Sequence, residues 1–261
     1  MQIGSSNDSA AVKAQYATSK GLDIRIAFHD MYSTNKLGYS NWMVSHYDFC
    51  EGARVLELGC GTGGIWIGHD DEISRCEKLM LTDLSEGMLK TAKENLGNKA
   101  NVEYQIADIQ NLQFDDDAFD IVIANGMLYH VPNLQKGLQE VRRVLKNGGV
   151  FYCSTLGESN FTDKLAEWFE LGGEEFHPNH NFTMQNGGEQ LKSVFENVIP
   201  DIYDDSLHIT EPENLVEYLC SLASFNAIMD LPVEKIKDIL LEHTVNGCID
   251  LPKEYGMFTC R

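Results

Sequence analysis

The sequence predicts an α/β fold built on a mostly parallel sheet, and three observations carry that prediction. From Ala53 onward, short apolar runs ending in a polar residue or glycine alternate with amphipathic helical patterns, the mark of βαβ units. The run FDIVIAN (119–125) is the most apolar of them, as a strand buried on both faces of a parallel sheet should be. Four glycines, Gly59, Gly61, Gly63 and Gly64, crowd the end of the first run, where the backbone must turn tightly or approach something closely.

Each element can be justified in turn. The first fifty residues are rich in Tyr, Trp and His and read as helices and loops that precede the sheet. ARVLELG, from Ala53, is the first strand and KLMLTD (78–83) the second. In SEGMLKTAKENLG, Ser85 can cap a helix, Met88, Leu89 and Ala92 form its inner face, and Gly97 ends it. VEYQIAD (102–108) alternates as a third strand and FDIVIAN is the fourth. After Pro132 the spacing predicts a helix with Leu134, Leu138, Val141 and Leu145 on one side, stopped by Gly148, and VFYCSTL (150–156) is the fifth strand.

Beyond Leu156 the rhythm loosens. Residues 157–182 read as too polar and glycine-broken for core, hence as a lid-like connection over the strand ends. Thr210 and Glu213 predict a capping box, with Pro212 in the first turn of a helix carrying Leu215, Leu219 and Leu222, and a second helix starts near Pro232. The chain is expected to form a single domain over 1–261. Its parts are a helical cap (1–50), a cofactor-binding core (51–156), the lid-like connection (157–182) and a C-terminal part (183–261) with a helical hairpin at about 211–245 and a last strand at 255–261.

Composition restricts the partners. Twenty Lys and Arg against forty Asp and Glu give a net charge of −20, which repels phosphate backbones and anionic membrane surfaces, so neither nucleic acid nor membrane is an expected partner. No run of about 18 apolar residues is present for a membrane span. Seven cysteines without a C-x-x-C pair suit neither a zinc site nor a disulfide framework, and a reducing, cytoplasmic setting is expected. His177 and His180 in HPNH lack a matched third ligand, so no metal is assigned.

A ligand of an open parallel sheet binds at the carboxyl ends of the strands, which directs attention to Glu57 through Gly63, Asp83, Asp108, Ile109 and the stretch from Asn125 to His130. Asp83, about 20 residues beyond the glycines, is placed to hold ribose hydroxyls. Two cofactors fit this far. Gly59-x-Gly61-x-x-Gly64 matches a dinucleotide fingerprint, whereas Glu57-x-Gly59-x-Gly61-x-Gly63 matches an adenosyl cofactor.

VLELGCGTG, LTDLSEGML, YQIADIQNLQF, FDIVIANGMLYHV and GLQEVRRVLKNGGVFYCST, in that order, resemble the motif set of class I S-adenosylmethionine-dependent methyltransferases. Within that family the chain is most similar to the small-molecule branch that includes the ubiquinone and menaquinone methyltransferases. The resemblance implies a Rossmann-like seven-stranded sheet of order 3-2-1-4-5-7-6, the last strand antiparallel, with helices on both faces. It implies S-adenosylmethionine as cofactor, S-adenosylhomocysteine as product and a small-molecule acceptor methylated on O, N or C. By the same resemblance Glu57 lies near the methionine amino group, Gly59, Cys60, Gly61 and Gly63 form the loop beneath the methionine and ribose, and Asp83 holds the ribose. Leu84 and Ile109 then lie beside the adenine, Asp108 accepts from its amino group, and Asn125 contacts the methionine moiety.

An in-line displacement at an already activated sulfonium asks the protein chiefly to align the reactants and exclude water, with a base needed only for a protonated acceptor. His130, just past the fourth strand, is the candidate base, because histidine titrates near neutrality; shaping the pocket or capping the helix near Pro132 is its competing role. Tyr129, and Tyr32, Asn35, Tyr39 and Trp42 in MYSTNKLGYSNW, are candidate acceptor contacts, with ordinary helix packing as the competing role. NGML stands where an Asp/Asn-Pro-Pro-aromatic motif would mark amino methylation of bases or glutamine. A nicotinamide oxidoreductase and a non-catalytic cofactor-binding protein are the alternatives. A monomer or a homodimer is expected.

Overall fold

The computed structural model describes residues 20–171, 179–222, 225, 228, 229 and 231–261. Seven strands form one sheet in the order β3-β2-β1-β4-β5-β7-β6: β1 is Ala53–Leu58, β2 Cys76–Asp83, β3 Val102–Ile106, β4 Phe119–Asn125, β5 Leu145–Leu156, β6 Val198–Ile209 and β7 Ile249–Cys260. β1 through β5 pair in parallel, and β7 runs antiparallel to both neighbours. The described helices are α1 (Lys20–Tyr32), α2 (Tyr39–His46), α3 (Asp70–Arg75), α4 (Glu86–Leu96), α5 (Leu134–Val144), α6 (Phe161–Trp168), α7 (Gly187–Lys192), α8 (Asn214–Cys220) and α9 (Val233–Glu242).

Strand alternation sorts the side chains onto two faces. Leu56, Leu58, Met80, Val122 and Phe151 pack with Leu138, Val141 and Val144 of α5 on one side. Val55, Leu79, Leu81, Ile121 and Ile123 pack on the other with Met43 and Val44 of α2, Leu89 and Leu96 of α4, and Trp66. A third cluster lies beyond the sheet centre, where α1, α6, α8 and α9 close on Leu207, Ile209, Ile249 and Leu251 of the β6–β7 ladder.

The α4 expectation holds in detail. Ser85 Oγ accepts from the Met88 N–H, Met88, Leu89 and Ala92 are buried, and Gly97 ends the helix at φ 70°. Other expectations are corrected. α5 stops at Val144 rather than Gly148, because Arg142 Nη1 takes the Leu145 carbonyl at 2.9 Å and Leu145 already pairs with Phe119 as the start of β5. The segment from 157 is not a polar cover: Asn160 and Asp163 form a capping box that opens α6, which buries Phe161, Leu165 and Ala166 in the third cluster. Residues 172–178 of that segment lie outside the described residues.

No Thr210–Glu213 capping box forms either. Glu213 itself occupies the cap position of α8 without a side-chain cap bond, so the helix starts later, at Asn214. The two C-terminal helices lie in the connection between β6 and β7, and β7 begins at Ile249, six residues before the expected start at 255. β6, which the apolar pattern did not announce, is an edge strand whose first half is exposed, an environment that tolerates Pro200 and its missing N–H.

Candidate active site

The row of strand ends begins with a buried acid. Glu57 is 2% exposed, and alternation turns it to the α2 side, where Trp66 Nε1 donates to its Oε2 at 2.6 Å. Burial raises its carboxyl to a pKa of about 7, against the hydrogen bonds from Trp66 and Asn125. Asn125, at the end of β4, gives its Nδ2 to the Tyr47 hydroxyl at 2.8 Å. Tyr47 follows α2, is buried, and has its phenol pushed well above the usual range by burial and by Glu57. A chain of four side chains, Trp66, Glu57, Asn125 and Tyr47, thus joins β1 and β4 to the N-terminal helices.

The glycine loop is shaped mainly by the protein itself. Gly59 has φ 68°, and a Cβ there would meet Met127 Cγ at 2.9 Å; Gly63 has φ 70°, and a Cβ there would meet Leu96 at 3.1 Å and Ala92 at 3.3 Å. Gly61 has φ 55° and gives its N–H to Asp83 Oδ2 at 3.0 Å. The bare backbone is therefore required by the approach of Met127 and of α4, before any ligand is considered. Cys60 is buried, its N–H bonds to Thr82 O, and burial pushes its thiol well up, so it carries no thiolate chemistry. Gly64 starts a three-residue 3-10 turn, Gly64–Trp66, instead of the long helix whose N-terminus would face a pyrophosphate.

Asp83 and Asp108 close β2 and follow β3 with the same local geometry. Asp83 Oδ1 accepts from Ser85 N at 2.8 Å and Asp108 Oδ1 from Gln110 N at 2.9 Å. Burial raises the Asp83 carboxyl, opposed by the N–H groups of Ser85, Gly61 and Leu84. Gln110 folds its amide over Asp108, with Nε2 3.1 Å from Oδ1 and 3.3 Å from Oδ2, while Oε1 accepts from Asn133 N. Leu84 is half-buried beside Asp83, and Ile109 is buried against Gly137 of α5. Among the described residues none of Glu57, Asp83 and Asp108 has an ion-pair partner.

The other half of the row is aromatic. His130 ends the 3-10 turn Leu128–His130, with its ring 4.5 Å from that of Tyr129, whose carbonyl accepts from Asn179 Nδ2 at 2.7 Å. Tyr39 stacks on Trp42 at 5.7 Å, lies 5.2 Å from the Tyr255 ring, and donates to Gly256 O at 3.1 Å. Trp42 also packs on Tyr203 and His46.

The remaining expected contacts sit elsewhere. Tyr32 is buried in the third cluster, its hydroxyl taken by Asn214 Nδ2 at 2.7 Å. Asn35 spends its groups on β6 and its own loop: its N–H goes to Asp205 and its Nδ2 to Asp204 O, while its Oδ1 accepts from Leu37 N. No group of three or more His, Cys, Asp or Glu able to hold a metal occurs among the described residues; His177 lies outside them and His180 sits 3.9 Å from Asp163. The sequence reading missed Tyr47, Trp66, Gln110 and Tyr255. Only Tyr47, in an aromatic-rich stretch, left any signal.

Comparison with known proteins fits this geometry. A family model described as a methyltransferase domain matches residues 56–153. A demethylmenaquinone methyltransferase of Staphylococcus aureus is 34% identical over 161 residues, covering 56% of this chain and 67% of that protein. A malonyl-(acyl-carrier protein) O-methyltransferase of Geobacter sulfurreducens is 30% identical over 123 residues, 46% of each chain. The match thus spans less than half the length of that curated relative, and 43% of the demethylmenaquinone methyltransferase of Staphylococcus epidermidis. A solved structure from an antibiotic biosynthesis pathway of Anabaena variabilis has the same fold, with a TM-score of 0.62 at 17% identity over 91% of this chain and 99% of that one.

Proposed function

The chain belongs to the class I S-adenosylmethionine-dependent methyltransferases, and from that premise we propose that it moves the cofactor's methyl group to a small-molecule acceptor. The supporting observation is the row of Glu57, Asp83 and Asp108, three carboxylates at successive strand ends with no ion-pair partner among the described residues. A ligand carrying an ammonium and a sulfonium supplies what that row lacks, whereas a pyrophosphate would be repelled by it. In this reading Glu57 receives the ammonium, Asp83 the ribose hydroxyls, and Asp108 the adenine amino group once Gln110 gives way. Gly59, Cys60, Gly61 and Gly63 form the floor, Leu84 and Ile109 flank the base, and Asn125 holds the methionine end.

The bound cofactor supplies an activated methyl on a positive sulfur. The chain's task is then alignment and exclusion of water, and a held near-attack geometry contributes on the order of 7–11 kcal/mol. Tyr39, Trp42 and Tyr129 fit the acceptor side, Tyr32 and Asn35 act through the cap they anchor, and His130 is the base if the acceptor arrives protonated. The homologues' names support quinol-like and carrier-bound carboxyl acceptors about equally. A cytoplasmic setting belongs to the same proposal, since all seven cysteines are free thiols. Among the described residues no helix is long and apolar enough to cross a membrane.

Thermal melting with S-adenosylhomocysteine at 100 times its dissociation constant should show stabilisation of about 2.7 kcal/mol. Isotope-labelled S-adenosylmethionine mixed with a metabolite extract and read by mass spectrometry should then yield a labelled small molecule. Stabilisation without any labelled product would leave a binding protein in place of the enzyme.

A further inference from the structure

His29 belongs to no expected site, yet it lies at the centre of a ring cluster that joins the aromatic half through Tyr255. Its ring is 5.5 Å from those of Phe161 and Tyr218 and 5.9 Å from that of Tyr255. Nε2 faces two phenols, the Tyr218 hydroxyl at 3.3 Å and the Tyr255 hydroxyl at 3.4 Å, both long for such bonds. Nδ1 is shielded from solvent and has no hydrogen-bond partner. Either tautomer therefore leaves one strong hydrogen-bonding position unmet, which native structures seldom tolerate without reason.

The place of this cluster links it to the strand ends. Tyr255 pairs with Leu156, the last residue of β5, and Asn125 of the neighbouring strand pairs with Ser154. Tyr39, in ring contact with Tyr255, bonds to Gly256 and reaches Ser154. The cluster thus stands beside the methionine end of the proposed cofactor site, opposite the Asp83 and Asp108 side.

Its surroundings disfavour charge. Burial lowers the His29 imidazole to a pKa of about 3, with Lys253 adding to the effect, and burial raises the phenols of Tyr39, Tyr218 and Tyr255. Lys253 and Asp205 are spent on each other at 2.6 Å, and Arg25, which also acts on Tyr218, is the weakest of the three charges acting on His29. Rings and neutral polar groups make the closest contacts to the imidazole.

We propose that this cluster is the acceptor site, that His29 and Tyr255 form its hydrogen-bonding end, and that the acceptor is a neutral ring compound carrying a hydroxyl or carbonyl. A hydroxyl satisfies either tautomer at Nδ1, and the long phenol contacts can shorten around a guest as active-site bonds do on ligand binding. The proposal rests on the methyltransferase reading and narrows its acceptor to one chemical class.

The test uses the full chain saturated with S-adenosylhomocysteine and three probes, 2-naphthol, phenethylamine and benzoate, titrated calorimetrically. The wild type should bind 2-naphthol at least tenfold more tightly than either charged probe. His29→Phe should weaken 2-naphthol at least tenfold, Tyr255→Phe about threefold, and neither should change S-adenosylhomocysteine affinity; His29→Gln, which keeps a donor and an acceptor, should recover part of the loss. If His29→Phe fails to melt cooperatively, the contrast between His29→Gln and Tyr255→Phe carries the result. No binding of 2-naphthol, equal binding of a charged probe, or variants within twofold of wild type would overturn the acceptor proposal. Failure of the wild type to bind S-adenosylhomocysteine would instead overturn the methyltransferase reading.

Discussion

The strand ends of β1 to β3 present carboxylates, held by backbone N–H groups at Asp83 and Asp108 and by the Trp66 indole at Glu57, whereas phenols and an imidazole in contact with one another lie beside the ends of β4 and β5. The first half comes from neighbouring pieces of chain: Glu57, Asp83 and Asp108 each end or follow a successive strand, and Asp83 bonds the glycine loop directly. The second half is gathered from residues 29, 39, 129, 218 and 255, brought together only by tertiary packing. Local assembly makes a site readable from motifs. Assembly from scattered segments does not, and in exchange those segments can vary with the acceptor while the cofactor half stays fixed.

The largest break of this comparison is Lys253→Ala. Lys253 pairs with Asp205 inside the β6–β7 ladder and donates to Ser33 Oγ at 2.8 Å, so its loss strands a buried carboxylate and frees the cap, a destabilisation of about 3–5 kcal/mol in urea unfolding. Cofactor affinity should persist while methyl transfer collapses; parallel loss of both would show the halves to be one unit.

Glu57 supplies the next. Its folded pKa of about 7 lies above its ordinary 4.5, so the folded state holds the proton more tightly. Without ligand, stability present below pH 4.5 is lost as pH rises through 7, a swing of about 3 kcal/mol that Glu57→Gln should flatten in melts between pH 5 and 8. Affinity for S-adenosylmethionine should run the other way, improving on the order of tenfold from pH 5.5 to 7, since the ammonium prefers the ionised acid. His29 has the opposite sign: its lowered pKa contributes stability above pH 6.5 that is lost as pH falls toward 3. Acid therefore strains the acceptor half and base the cofactor half.

Gly59→Ala should cost about 2–3 kcal/mol, because positive φ and the 2.9 Å approach of Met127 act together. Gly68→Ala, at φ 84° with nothing within 4 Å, should cost only about 1 kcal/mol. Equal losses would mean that the loop owes its glycines to backbone strain alone. Ser85→Ala is the smallest change, about 1 kcal/mol from the lost cap on α4, with cofactor binding weakened slightly through Asp83.

The same contrast explains what could be read from residues alone. β1, β2, β4 and α4 announce themselves because buried parallel strands are continuously apolar and α4 has a cap, a stripe and a stop. β6 hides because VIPDIYDDSLHI carries a proline, three Asp, a Ser and a His that an edge strand tolerates. α6 hides because Phe161, Leu165 and Ala166 are spread among charges that face solvent, so a polar average masks an amphipathic face. His29 gives no signal beyond its place in a stretch rich in Tyr, Trp and His. Its significance lies in Tyr218 and Tyr255, roughly 190 and 226 positions away in sequence.

The tie between the cap and the last strands has a consequence for the order of synthesis. Thr34 N–H bonds to Ser206 O, Ser33 pairs with Leu207, and Lys253 closes the clamp. On a ribosome the cap emerges well before its partners, which are made more than 170 residues later. At about 5–20 residues per second the cap waits roughly ten to forty seconds for the strands that receive it. Strands β1 to β5 can pair meanwhile, so under the proposed assignment a nascent chain gains the means to hold its nucleoside before it gains a place for the molecule to be modified.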